Sequence, residues 1–141
     1  MLTINRLDIT DAERLIAGAR AKARQIGVPM CIAVTDESGN LIAFERMDGG
    51  KITSIQLAID KSFTATGIQK GTDALGEVNQ PGMPAHGISS ALGGRMVAVA
   101  GGLPVMSGGV VVGGIGVSSG SPAQDLEVAQ AGADAFDSMP A

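Results

Sequence analysis

The 141-residue sequence has almost no aromatic side chains, since it contains three phenylalanines and neither tryptophan nor tyrosine. Proteins that bind nucleic acids stack bases on aromatic rings and attract phosphates with clustered lysine and arginine. This chain has few rings, a net charge of −4 and no run of basic residues. We therefore predict that nucleic acid is not a partner.

Cysteine and histidine are equally scarce, because Cys31 and His86 are the only residues of their types. A single cysteine cannot form an intramolecular disulfide, and one cysteine with one distant histidine does not make a zinc pattern. Cys31 lies in the apolar run 30–34, where a buried thiol is expected. The prediction is no metal site, except that His86 would ligate iron if haem is bound.

Long hydrophobic runs are absent as well, and none reaches the length that spans a bilayer. The N-terminal residues also lack the charged and apolar regions of a signal peptide. With 45% hydrophobic residues, residues 1–141 are expected to fold as one domain. We predict a cytoplasmic protein without a membrane partner. The alternative is the mature form of a protein whose signal peptide has been removed.

Glycine, by contrast, is abundant, and the 21 glycines are concentrated in the stretch 101–120. Two apolar runs, 103–107 and 110–117, flank Gly108 and Gly109, which can adopt the positive φ of a tight hairpin turn. The second run also contains glycines, which either let a helix pack closely or expose backbone to a ligand. These are Gly113, Gly114 and Gly116.

Capping signals and helical spacing of apolar residues predict three helices. The first is expected to begin with a capping box at Thr10–Glu13 and to end at Gly27. The second begins with a box at Thr53–Gln56 and ends near residue 71, and the third begins at Ser121–Gln124. The amides at the start of the third helix are either capped by that box or free to bind an anion.

Short apolar runs predict five strands, and the segment 72–94 is expected to be a loop because it has no clear period. Short turns between consecutive strands make the sheet antiparallel. The element order is α-β-β-α-β-β-β-α, which is an α+β fold. The predicted strands are 30–35, 41–47, 95–100, 103–107 and 110–117.

Two groups of polar residues are candidates for function. Glu45, Arg46, Asp48 and Lys61 either pair with one another or form a polar pocket wall that orients a carboxylate or carbonyl. His86, in the predicted loop, is a general base, a haem ligand or an ordinary surface residue. The cationic face of the first helix is interpreted as a solvated surface; it consists of Arg14, Arg20, Lys22 and Arg24.

Short motifs are spread over nearly the whole chain: AVTD at 33–36 with SG at 38–39, RMDG at 46–49, A..K...A at 58–65, PG at 81–82, GGLPV at 101–105, GIGVS at 114–118 and QD..VA at 124–129. As a set they resemble the GlcG/HbpS family, which includes the C-terminal domain of PduO-type proteins. The resemblance implies a profilin-like fold, homo-oligomers, and haem or corrinoid-related binding or small-molecule catabolism. Ser119 and His86 depart from it, standing where relatives often have glycine and an aromatic residue.

The first hypothesis for function is binding of haem or a related tetrapyrrole between the second helix, the His86 loop and Gly101–Gly102. Arg46 and Lys61 would contact the propionates and His86 the iron. The full set of predicted ligand-binding residues is Arg46, Asp48, Lys61, Thr64, His86, Gly101 and Gly102.

The alternative is a cofactor-free enzyme that performs proton transfer, hydration or lyase chemistry on a small oxygenated metabolite. His86 would be the acid/base, with Glu45 and Lys61 as further catalytic residues, and Arg46 or Lys61 would hold a carboxylate. Amides at Gly101–Gly102 would stabilise an oxyanion. A third hypothesis is an accessory subunit whose glycine-rich surface packs against copies of itself.

Overall fold

Residues 1–138, which the computed structural model describes, form an α+β fold with one antiparallel four-stranded sheet. The elements are α1 (Ile9–Ile26), β1 (Cys31–Asp36), β2 (Leu41–Arg46), α2 (Thr53–Ile68), α3 (Thr72–Val78), a 3-10 helix (Ile88–Gly94), β3 (Gly102–Ser107), β4 (Val110–Ser118) and α4 (Pro122–Asp137). The strand order β2-β1-β4-β3 makes β1 and β4 central and β2 and β3 the edges. The predicted α+β class and antiparallel sheet are confirmed.

Alternation along β1 assigns its side chains to two cores, one on each face of the sheet. Ile32 and Val34 join the larger core, which includes residues of α1 and α4. Cys31 and Ala33 face the opposite way and pack against Ala58 of α2. Helices therefore cover both faces of the sheet, which buries β1 along its whole length.

Glycines in β4 let α2 lie unusually close to the sheet. A Cβ atom at Gly116 would overlap the Ala58 carbonyl, and one at Gly114 would overlap the Thr66 hydroxyl. Gly113 is likewise packed against Leu7. The packing interpretation of these glycines is therefore correct. The predicted hairpin is also confirmed, because Gly108 and Gly109 form its turn with φ of +58° and +79°.

The predicted capping boxes are confirmed at α4 and wrong at α1 and α2, although both helices begin close to the predicted positions. Ser121 and Gln124 form the expected capping box, so the amides there are capped within the chain. At α1 the cap is Asp8, whose carboxylate accepts from the Asp11 amide, and not Thr10. At α2 the N-cap residue is Ile52 and no side chain caps the helix. The Ser54 hydroxyl in its first turn accepts from that of Ser118 at 3.1 Å.

The segment 72–100 differs most from prediction. The expected loop contains α3 and the 3-10 helix, and residues 95–100 are not a strand. The Thr64 hydroxyl donates to the Arg95 carbonyl and accepts from the Val97 amide. Because a side chain of α2 satisfies these backbone groups, the apolar run 95–100 covers α2 and does not extend the sheet, which leaves four strands in residues 1–138.

A buried ion pair joins α2 to α4. The Lys61 ammonium donates to Asp125 Oδ2 at 2.9 Å and to the Val117 carbonyl at 3.0 Å. Asp125 Oδ1 accepts from the Gly120 amide at 2.9 Å. The two charged side chains are 3% and 4% exposed, so each depends on the other for the interactions that water would otherwise provide.

Replacing Lys61 with methionine should lower the free energy of unfolding by about 3–5 kcal/mol, because Asp125 would become an unpaired buried charge. Adding Asp125→Asn should recover part of the loss, since the amide is neutral and still accepts from Gly120. Urea denaturation followed by circular dichroism measures both. The control is Lys22→Met, which breaks the more exposed Lys22–Glu127 pair and should cost less than about 1 kcal/mol. Equal losses for Lys61→Met and Lys22→Met would contradict the prediction.

Ser119 has a backbone conformation that favours glycine, with φ of +121°. Its hydroxyl accepts from the Lys51 amide at 3.0 Å, two residues before α2 begins. This bond gives a serine a structural role at a position whose backbone favours glycine. The side chain holds the start of α2 against the end of β4.

Ser119→Ala should therefore be less stable than Ser119→Gly by about 1 kcal/mol, because both lose the hydrogen bond and only alanine keeps the strain. Thermal unfolding monitored by circular dichroism compares the two variants with the parent. An alanine variant as stable as the glycine variant would show that the positive φ at Ser119 is not strained.

Candidate functional site

His86 is exposed on the segment that follows α3, and Asn79 holds it in position. The imidazole Nδ1 lies 3.3 Å from the Asn79 carbonyl oxygen, while the Asn79 side chain accepts from the Gly87 amide at 3.0 Å. A carbonyl can only accept, so the neutral ring has its proton on Nδ1 and a lone pair on Nε2. His86 thus presents Nε2 as a ligand or proton acceptor.

Exposed apolar side chains accompany His86 on the same segment. Met83 is 43% and Leu92 63% exposed. Leu92 also has a left-handed backbone, with φ of +53°, which costs free energy in a residue with a side chain. The segment 83–92 therefore combines a strained backbone position with two exposed apolar side chains.

A second group of polar residues surrounds a groove between α1 and β2, which we call the α1–β2 groove. It comprises a cavity of about 550 Å³ and an adjoining one of about 530 Å³, and both are lined by Arg20 and Glu45. Arg20 Nη1 donates to Glu45 Oε1 at 2.5 Å. The first cavity is lined by Arg20, Arg24, Glu45, Arg46, Met47 and Asp48.

Lys61 was predicted to belong to this charged group but lies outside the groove, bound to Asp125. The other predicted residues of α2 and β3 also have partners within the fold. The Gly102 amide donates to the Thr72 hydroxyl at 2.9 Å, and Thr64 holds residues 95–97. A Cβ atom at Gly101 would contact the Lys61 ammonium, so Gly101–Gly102 packs against α2 and its backbone is not bare.

The structure therefore brings together Glu45, Arg46 and Asp48 from the predicted site, with Lys61 and His86 elsewhere. Sequence reasoning missed Arg20 and Arg24 as members of the group. Their spacing of four residues puts them on one face of α1, which was visible in the sequence. The sequence does not show, however, that β2 lies beside this face of α1.

Cys31 is buried on the α2 face of the sheet and is not a reactive thiol. Burial raises its pKa above the ordinary value, and the nearby Arg46 charge only partly opposes this effect. Its Sγ atom lies 3.7 Å from the Lys51 carbonyl oxygen.

In residues 1–138 no three histidine, cysteine, aspartate or glutamate side chains cluster in a way that could hold a metal ion. No helix in that part of the chain has the length and apolarity to cross a membrane.

The fold and its surface define a small α+β domain in which the central strands are buried and the polar groups lie along one edge and on one exposed segment. The sequence model of the "haem degrading protein HbpS-like" family matches residues 7–134. The chain belongs to this family. The resemblance to the GlcG/HbpS family is therefore confirmed.

Among its relatives is an uncharacterized 15.0 kDa protein from the dhaT-dhaS intergenic region of Citrobacter freundii, 33% identical over 94% of both chains. The corrinoid adenosyltransferase PduO of Salmonella typhimurium is 34% identical over 88% of this chain, which spans only 37% of PduO. GlcG of Escherichia coli is 31% identical over 76% of this chain and 77% of GlcG.

Solved structures agree with the sequence relatives. Klebsiella pneumoniae ORFY superposes with a TM-score of 0.97 at 28% identity, covering 99% of this chain and 97% of that one. The PduOC:heme complex superposes with a TM-score of 0.89 at 33% identity, covering 92% and 94%. The backbone of this chain is thus close to that of a relative crystallised with haem.

The buried, high-pKa thiol of Cys31 should react at least about 100-fold more slowly with an aromatic disulfide reagent in the folded protein than in the denatured chain. The reagent DTNB at mildly alkaline pH, with and without concentrated guanidinium chloride, measures both rates. Because Cys31 is the only cysteine, the signal is unambiguous. Comparable rates in the two states would show that the thiolate is accessible.

Proposed function

We propose that this protein binds haem or a related tetrapyrrole, and that His86 Nε2 would ligate the iron. The observation that carries the proposal is the hydrogen bond from His86 Nδ1 to the Asn79 carbonyl. Iron-ligating imidazoles commonly donate their second ring nitrogen to a carbonyl, which fixes the tautomer and orients the ring. Membership of the HbpS-like family and the haem complex of PduOC support the same ligand.

The surroundings of His86 fit a porphyrin in a second respect, because the macrocycle is large and apolar. Met83 and Leu92 offer exposed apolar side chains on the same segment. Contact with a ligand would remove their surface from water, which is favourable at about 25 cal/mol per Å². Haem, when bound, supplies an iron centre, and this chain supplies the imidazole and apolar contacts.

The predicted propionate contacts receive less support from the geometry. Lys61 is buried and paired with Asp125, and Arg46 lines the α1–β2 groove. The same placement of Lys61, together with the occupied Gly102 amide, argues against the enzymatic alternative with His86, Lys61 and Gly101–Gly102.

The family resemblance is the ground for four further proposals. These are a profilin-like classification, homo-oligomers, a role in small-molecule catabolism and a cytoplasmic location.

Titration with hemin should give a saturable Soret shift in the parent protein, and His86→Ala should bind at least about tenfold more weakly with an altered spectrum. Free imidazole added to His86→Ala should restore the parent spectrum, because it replaces the missing ligand. Two control variants each remove one sulfur atom that could ligate iron instead of His86. Cys31→Ser changes the buried thiol and Met83→Leu changes the thioether in the segment 83–92, and both variants should keep the parent Soret position.

The haem proposal fails if hemin produces no saturable shift in the parent protein. It also fails in its assignment of the ligand if His86→Ala keeps both the affinity and the spectrum of the parent. Circular dichroism of each variant shows whether the fold is intact, and an exposed histidine should be replaceable without unfolding.

A further inference from the structure

The guanidinium group of Arg95 is held in place by two side chains of α2. Its central carbon, Cζ, lies 3.7 Å from the centre of the Phe63 ring, and Nε donates to Asp60 Oδ1 at 3.1 Å. Asp60 is itself fixed, because the same oxygen accepts from the Gln56 amide group at 2.9 Å. An arginine restrained by a ring and a carboxylate loses less side-chain entropy when it binds a ligand.

These contacts use only one of the five N–H groups of Arg95. Within residues 1–138 neither Nη1 nor Nη2 has a hydrogen-bond partner, and the side chain is 41% exposed. The two terminal nitrogens form a planar fork that matches the two oxygens of a carboxylate. Because Asp60 offsets the charge of Arg95, the fork would recognise a carboxylate through the geometry of its hydrogen bonds and not through an excess of positive charge.

The segment 95–102 runs back along α3, which carries the anchor of His86 at its end. The Gly102 amide donates to the hydroxyl of Thr72, the first residue of α3, at 2.9 Å. Further along the helix, a Cβ atom at Gly76 would lie 2.7 Å from the Ala98 carbonyl oxygen. The segment and the helix are therefore antiparallel over these residues, so Arg95 lies on the side of Ala98 that is away from the start of α3.

Arg95 also adjoins the segment that carries His86. Its amide donates to the Leu92 carbonyl at 3.4 Å, and the 3-10 helix Ile88–Gly94 connects it to His86. Seven residues in a regular 3-10 helix span about 14 Å, which a macrocycle with its side chains can bridge. The imidazole, the exposed Leu92 side chain and the guanidinium fork are thus available to one ligand of that size.

We propose that Arg95 binds a propionate carboxylate of the tetrapyrrole whose iron His86 would ligate. This inference rests on the proposed function and names the residue that recognises the acidic edge of the same ligand. Arg95 takes the role that the sequence assigned to Arg46 and Lys61. Unlike Lys61, it has free donors at the surface, and unlike Arg46 it follows the segment 83–92 directly in the chain.

Hemin and hemin dimethyl ester test the proposal, because the ester keeps the iron and the ring and lacks both carboxylates. Soret titrations of each ligand, in one buffer with the same amount of dimethyl sulfoxide, give the ratio of the ester Kd to the hemin Kd. In Arg95→Gln this ratio should fall about fivefold relative to the parent, since only hemin has a carboxylate contact to lose. Comparing ratios removes any effect of the substitution that both ligands share.

Two further variants separate ligand contact from a structural role of Arg95. Asp60→Asn still offers an oxygen to Arg95 and removes a negative charge beside the bound propionate, so the ratio should rise about twofold. A purely structural arginine would instead make Asp60→Asn and Arg95→Gln change the ratio in the same direction. The matched control is Arg14→Gln, which removes an exposed arginine from α1, on the other face of the sheet, and should leave the ratio unchanged.

The outcomes distinguish this proposal from the one on which it rests. If hemin gives no saturable shift in the parent, the haem proposal fails and the Arg95 assignment fails with it. If hemin binds the parent but the ratio is the same in Arg95→Gln, only the Arg95 assignment is overturned. An equal fall in Arg14→Gln, or a fall in Asp60→Asn, would also overturn it. Circular dichroism of each variant checks that the fold is intact.

Discussion

The ion pair between Lys61 and Asp125 is the constraint on which the arrangement of helices depends. α2 and α4 lie on opposite faces of the sheet, so the Lys61 side chain reaches Asp125 past the end of β4. It can do so because Gly101 has no side chain where the ammonium lies. Desolvating two charges is costly unless every polar atom finds a partner, and the Val117 carbonyl and the Gly120 amide supply the remaining bonds. The family-like GGLPV motif at 101–105 therefore begins with glycine for packing reasons.

The long periodic elements could be predicted from the sequence, and the irregular ones could not. α1, the first two strands and the Gly108–Gly109 hairpin follow from apolar spacing and turn chemistry, which are local properties. The run 95–100 also has strand-like composition, but the Thr64 hydroxyl, some thirty residues earlier in the chain, takes its backbone hydrogen bonds. There a tertiary contact outweighed a local preference.

The candidate site shows the same division between local and tertiary information. Glu45, Arg46 and Asp48 are neighbours along the chain, and their grouping could be predicted. Lys61 was grouped with them from its place on the helix that follows, whereas its partner Asp125 is distant in sequence. Arg20 and Arg24 were assigned to a solvated face because nothing local indicates that β2 is an edge strand beside α1.

Edge strands explain why the polar chemistry of this protein lies at its periphery. Residues 112–118 of the central strand β4 and the whole of β1 are buried, and their hydroxyls and carbonyls bond with α2 or with each other. The interior therefore has little polar capacity left for a ligand. At the β2 edge, by contrast, side chains of Glu45 and Arg46 need not pack beneath another strand, so charges can remain partly solvated and still line a cavity.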